Sequence, residues 1–245
     1  PLKEYLLKHM EDYETMKIVG EIFIQTNRYS EAIDIYYRLS DHEPNNKTYY
    51  NNIADSYYKL KDFDNALIYY LKVVELDEES YNVFIDIGTI LNKKNLFAQS
   101  EAYLSKALDC GYPNKNLLMQ LGISYGGQKK FLQSLITFKE TLKFSLEDPI
   151  LHYQIGIIYK ELQIFDLAIE NLSFYLNTNK KDEMTLSLIG SCYLELNEYE
   201  QAIQYFEKIY KLNNNNYNAL FNIGKCYEKS KDLKNAARFF KNVIK

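Results

Sequence analysis

The chain has 245 residues, 47% hydrophobic and 25% charged, a balance that excludes global disorder and fits one large domain or two ordinary ones. A formal net charge of -4, with Arg28, Arg38 and Arg238 as the only arginines, excludes the basic footprint of a nucleic-acid binder. No stretch approaches the ~20 apolar residues of a bilayer span, so no membrane span is expected.

Residues 1–12 read as the end of a preceding helix or repeat, carried by Leu2 to His9. From residue 13 onward a small residue is followed three positions later by a bulky one. The pairs are Gly20 and Phe23, Ala54 and Tyr57, Gly88 and Leu91, Gly122 and Tyr125, Gly156 and Tyr159, Gly190 and Tyr193, and Gly224 and Tyr227. Consecutive pairs are 34 residues apart throughout. A second small residue follows the first at a spacing of 12: Ala32, Ala66, Ser100, Ser134, Ala168, Ala202 and Ala236. This places seven copies over 13–245, starting at residues 13, 47, 81, 115, 149, 183 and 217.

Each copy predicts a helical hairpin. In the sixth, Leu186, Ile189, Gly190 and Tyr193 recur at the spacing of one apolar helix stripe, and Ala202, Phe206 and Ile209 form a second. The small residues at repeat positions 8 and 20 let the two helices approach, and aromatics fill the space beside them. Polar turns such as Leu196-Asn197-Glu198 join the helices. Asn213 to Asn216 break them where a terminating proline is missing; Pro44 is the only one at its repeat position. In the fourth copy, Gly126-Gly127 predicts an early helix end or a soft joint.

This pattern resembles the tetratricopeptide repeat over residues 13–245, although no copy has the family's tryptophan. The resemblance implies an all-α, right-handed superhelical solenoid of tandem helix-turn-helix repeats. It also implies a concave groove that receives ligands, lined by positions 2, 5, 6 and 9 of each first helix. Those positions are polar in the first three copies (Lys17, Glu21, Asn51, Asn52, Asp55, Asn82, Asp86 and Thr89), with Ile85 an exception. They turn apolar in the next three (Met119, Ile123, Ile150, Tyr153, Ile157, Met184 and Leu188) and mixed in the last (Asn218, Phe221, Asn222 and Lys225).

Position 6 repeats an amide or acid at Asn52, Asp86, Gln120, Gln154 and Asn222, interrupted by Leu188. The series is similar to the asparagine ladder of O-linked N-acetylglucosamine transferase, which holds a peptide backbone, and an amide can both donate and accept there. Lys17 and Asn52 match two positions of the clamp that some tetratricopeptide domains use for a chaperone's terminal carboxylate. Asp86 and Glu21 stand at the others and would repel such a group.

Nothing assembles a nucleophile, a base and an orienting group, so no catalysis and no cofactor are expected. His9, His42 and His152 are dispersed, and no metal site is expected. Cys110, Cys192 and Cys226 are odd in number and unpaired in motif, which favours a reducing, cytoplasmic setting. The first residue is Pro1, not Met, which leaves room for a removed leader.

The expected function is a protein–protein interaction scaffold, a fragment of a longer protein in a multi-protein assembly. Its partner is a protein or peptide segment, extended or helical and partly apolar. The expected partner-binding residues are Asn52, Met119, Gln120, Ile123, Tyr153, Gln154, Ile157, Leu188 and Asn222. Two other roles stay open: the substrate-recruiting arm of a glycosyltransferase-like enzyme, and a structural subunit of transport or motility machinery.

Overall fold

The computed structural model describes residues 12–111 and 113–244. The helix expected from Leu2 to His9 lies outside the described residues. The described residues form fourteen helices and no strand, an all-α fold. In chain order these are α1 (Tyr13–Gln25), α2 (Tyr29–His42), α3 (Lys47–Lys59), α4 (Phe63–Leu76), α5 (Tyr81–Lys93), α6 (Phe97–Cys110) and α7 (Lys115–Gly127). They continue as α8 (Phe131–Leu142), α9 (Pro149–Glu161), α10 (Phe165–Thr178), α11 (Glu183–Glu195), α12 (Tyr199–Leu212), α13 (Tyr217–Lys229) and α14 (Leu233–Ile244). None is long and apolar enough to cross a membrane.

The chain divides into two compact units, Pro1–Ser124 and Tyr125–Lys245. In unit 1, one core gathers Met16, Phe23, Tyr36, Leu39 and Ile53, and a second gathers Ala54, Tyr70, Val73, Ile87 and Leu91. In unit 2 the corresponding core holds Leu186, Ala202, Phe206, Ile209 and Ile223. Cys192 and Cys226 are buried in unit 2, and burial pushes both thiols up to about 11.

Close approach within a hairpin explains the small residues. The Ser100 hydroxyl donates to the Gly88 carbonyl at 2.8 Å, joining α6 directly to α5. A Cβ added at Gly156 would lie 2.7 Å from Leu172 Cγ and 3.1 Å from the Leu172 backbone nitrogen. The Gly126-Gly127 pair does not shorten its helix, which ends at Gly127 and has 13 residues like the other first helices. Gly126 instead makes room for Ile158 Cδ1 and Ser134 Oγ, which an added Cβ would meet at 3.1 and 3.3 Å.

Seven hairpin turns each carry one residue in the left-handed region: Asn27, Lys61, Asn95, Lys129, Gln163, Asn197 and Lys231, with φ between 58° and 66°. None is glycine. The following amide bonds back across the turn, as from Arg28 to the Phe23 carbonyl at 2.7 Å and from Asp62 to Tyr57 at 2.9 Å. This is a Schellman-type C-cap, which satisfies carbonyls that the helix end leaves open. First helices of several repeats start on side-chain caps: Asn46, Asp148, Asp182 and Asn216 each accept a backbone N–H from the first turn.

Candidate functional site

The second helix of each hairpin buries one stripe of the first, which leaves another face of the first helix free. In unit 1 that face is ordered by polar contacts. Lys17 is engaged by Glu14 at 2.9 Å and by Glu43 at 3.6 Å, so its ammonium is already neutralised within the chain. Asn52 is half-buried beside Tyr36, whose phenol burial raises to about 12. Asp55 accepts from the Tyr70 hydroxyl at 2.5 Å and from Asn51 Nδ2 at 3.0 Å. Burial pushes the Asp55 carboxyl up. Burial, reinforced by the charge of Asp55, brings Asp86 to about 7. Ile85 is only 3% exposed; it belongs to the core, not to this face.

On α7, Met119, Gln120 and Ile123 are all half-buried. The Gln120 main-chain and side-chain carbonyls both accept from Asn92 Nδ2, at 2.9 and 3.1 Å. That fixes the Gln120 oxygen and leaves its amide N–H groups to point elsewhere.

In unit 2 the free face is apolar with hydroxyls and amides between. Ile150 and Met184 are 58% and 65% exposed, large values for apolar side chains. The Tyr153 hydroxyl donates to Met184 Sδ at 3.2 Å, and its ring lies 4.8 Å from that of Tyr175. This brings α9 and α11 together through their free faces. Gln154 and Ile157 are half-buried on α9. Between α11 and α13 is a cavity of about 390 Å³ whose floor includes Leu188, Phe206 and Ile209. Its rim carries Ser187, Asn218 and Asn222, together with Glu183, which accepts from Asn216 Nδ2 at 2.9 Å.

The structure therefore brings Leu188 and Asn222 into one cavity. Tyr153 reaches it indirectly through Met184, while Gln154 and Ile157 stand on α9 beyond its lining. Asn52 joins the Tyr36 neighbourhood in unit 1 instead. The cavity also uses Glu183, Ser187 and Asn216, which the face positions alone did not single out. Asn216 was legible as part of the asparagine run, but as a helix breaker and not as a rim residue.

Two compact units of stacked helical hairpins, closed by small-residue contacts and capped turns, define a helical-repeat protein of the kind that serves as a protein–protein interaction scaffold. Residues 48–80 and 166–245 match the family described as Tetratricopeptide repeat, so the chain carries tetratricopeptide repeats. Solved structures of similar fold include the C-terminal part of a TPR repeat-containing protein from Cytophaga hutchinsonii, at 18% identity and TM-score 0.70, covering 92% of this chain and 93% of that one. The TPR protein YrrB, described as having an unusual peptide-binding site, aligns at 18% identity and TM-score 0.63 over 76% of this chain and 95% of its own. A chain of the APC/C hetero-tetramer Cut9-Hcn1 aligns at 18% identity and TM-score 0.68, covering 91% of this chain and 44% of that one.

Proposed function

We propose that the free face of unit 2 receives an extended, partly apolar segment of a partner protein. Leu188 and the exposed Met184 seat an apolar side chain, and Asn222 holds the segment's backbone. Tyr153, Gln154 and Ile157 continue the same face along α9. In unit 1, Met119, Gln120 and Ile123 on α7 and Asn52 on α3 are partner-binding residues in the same proposal. The seven 34-residue copies over residues 13–245 act as one scaffold in this proposal, binding without catalysis in the reducing cytoplasm.

The single observation that carries this reading is the cavity of about 390 Å³, apolar at its floor and amide-bearing at its rim. It pairs a socket for one side chain with groups that satisfy a peptide unit. The peptide-binding site described for YrrB, a protein of similar fold, agrees with it.

The test is panning of a random peptide display library against the chain, followed by calorimetry with the peptides recovered. Enriched peptides should carry a large apolar residue. Leu188→Asp should weaken them by at least about tenfold, or ~1.4 kcal/mol, because the introduced charge must be desolvated on binding. Far-UV circular dichroism should stay unchanged, since Leu188 is half-buried outside the core stripe. Peptides without apolar character, or full affinity in the variant, would overturn the assignment.

A further inference from the structure

The unit 2 cavity has an apolar floor and a rim of amides and hydroxyls, and among the described residues lining it Glu183 is the only acid or base. Glu183 is the first residue of α11 and is half-buried. Its Oε2 accepts from Asn216 Nδ2 at 2.9 Å, while Asn216 Oδ1 accepts the Ala219 N–H at 3.1 Å at the start of α13. The carboxylate is thereby held at the seam between α11 and α13. Its Oε1 accepts from no described group, and among the described residues no lysine or arginine pairs with it. Lys180 and Lys181, in the turn before α11, are exposed and form no ion pair with it. Capping does not account for Glu183 either, because Asp182 already accepts the Thr185 N–H at the start of α11.

In unit 1 a cavity of about 310 Å³ occupies the same place in its repeat, with Lys47 at the position equivalent to Glu183. Lys47 pairs with Asp77, 30 residues further on, so the charge at that rim is answered inside the chain. The residue at the same spacing from Glu183 is Asn213, which carries no charge. One rim is therefore electrically matched, and the other keeps an unanswered carboxylate beside an apolar socket.

We propose that the unit 2 cavity selects a partner segment in which a lysine or arginine stands next to the apolar anchor, and that Glu183 receives its cation. The inference rests on the reading of this cavity as a socket for an apolar side chain, and it adds the charge of the neighbouring residue. Charge complementarity selects that residue. The free Oε1 can accept a charge-assisted bond from an ammonium or guanidinium, whereas an acidic neighbour would be repelled. Reach is sufficient, because consecutive residues of an extended segment are about 3.3 Å apart and a basic side chain is long and flexible. A cation one or two positions from the anchor therefore falls within the rim.

The test uses acetylated and amidated Gly-Ser peptides with a central leucine flanked on both sides by lysine, by glutamine or by glutamate. Each is titrated into the full chain at low salt and neutral pH, and methyl NMR of Leu188 and Ile209 reports entry into the cavity. The lysine-flanked peptide should bind at least about fivefold more tightly than the glutamate-flanked one. Glu183→Gln, whose amide oxygen can still accept from Asn216, should bring that ratio close to one and leave the affinity of the glutamine-flanked peptide unchanged. The same change at Glu200, an exposed acid of α12 outside the cavity lining, should leave the ratio as it is. That control separates a local partner from the general attraction of a basic peptide to a chain of net charge -4. The proposal is overturned, with the apolar socket standing, if the glutamine-flanked peptide moves both methyl signals and lysine adds no affinity. It is equally overturned if the lysine preference survives Glu183→Gln, or falls as much with Glu200→Gln. If no leucine peptide moves those signals, the socket itself is refuted and this inference falls with it.

Discussion

Gly156→Ala sets two effects of known size against each other. Alanine in a helix interior is favoured over glycine by about 1 kcal/mol, so propensity alone predicts a more stable chain. The new methyl group, however, would sit 2.7 Å from Leu172 Cγ, 3.0 Å from its Cδ2 and 3.1 Å from its backbone nitrogen. Leu172 is fully buried, so its side chain has no free volume to swing into, and the backbone contact can be relieved only by moving α10 away from α9. Overpacking of this kind costs ~1–3 kcal/mol. A rigid, doubly blocked site belongs in the upper part of that range, so the net effect should be a loss of about 1–2 kcal/mol.

Urea unfolding followed by far-UV circular dichroism measures the loss, and a double-mutant cycle with Leu172→Ala isolates its cause. Leu172→Ala alone should destabilise by ~2–5 kcal/mol through the cavity it leaves. Adding Gly156→Ala to that variant should cost much less than it does alone, because the Leu172 Cγ and Cδ2 contacts are gone and only the 3.1 Å approach to the backbone nitrogen remains. The reasoning fails if Gly156→Ala alone raises stability, or if the two substitutions are additive.

Gln163→Gly should stabilise the chain by about 0.5–1 kcal/mol, since Gln163 sits at φ 60° and glycine adopts that region without a Cβ clash; a shift of the urea midpoint measures it. Asp86 keeps its proton in the folded chain up to about pH 7, whereas the unfolded carboxyl loses it near its ordinary 3.8. The folded state therefore binds more protons between those values, and its stability falls as pH rises through that window and stays at the lower level above it. Asp86→Asn should remove this slope, matching wild type near pH 4 and exceeding it at pH 8 by less than the ceiling of about 4 kcal/mol, in melts recorded across pH. Cys110 is exposed whereas Cys192 and Cys226 are buried, so a thiol reagent should label one cysteine fast and two only on unfolding, as mass spectrometry of timed samples would show.

The all-α class was legible because the apolar residues recur at helical spacing and because Gly20, Gly88, Gly156, Gly190 and Gly224 are needed for close contact; an added Cβ at each would meet the second helix of its hairpin. Gly126 shows the limit of local propensity. Two adjacent glycines argue for a break, but the packing of Ile158 and Ser134 holds α7 to its full length. The left-handed turns were hidden for the opposite reason. Lys61, Lys129 and Gln163 give no local signal of that backbone region, which tertiary closure of the hairpin imposes. On the free faces, helical periodicity separated polar from apolar stretches but misplaced Ile85. It also gave no warning that Asp86 would be drawn out of water, because burial there depends on neighbouring helices and not on the residue's own segment.

All seven left-handed turn residues are solvent-exposed, follow the C-terminal ends of the first helices and stand outside the lining of the unit 2 cavity. Each turn closes through its own backbone bonds and can be altered without disturbing the next. The chain thus has a set of separate, graded controls over its rigidity, none of which lines that cavity. Substituting glycines one turn at a time would yield a ladder of proteins with the same binding faces and stepwise different resistance to local opening. Such a ladder would show how much pliancy the scaffold needs in order to admit a partner.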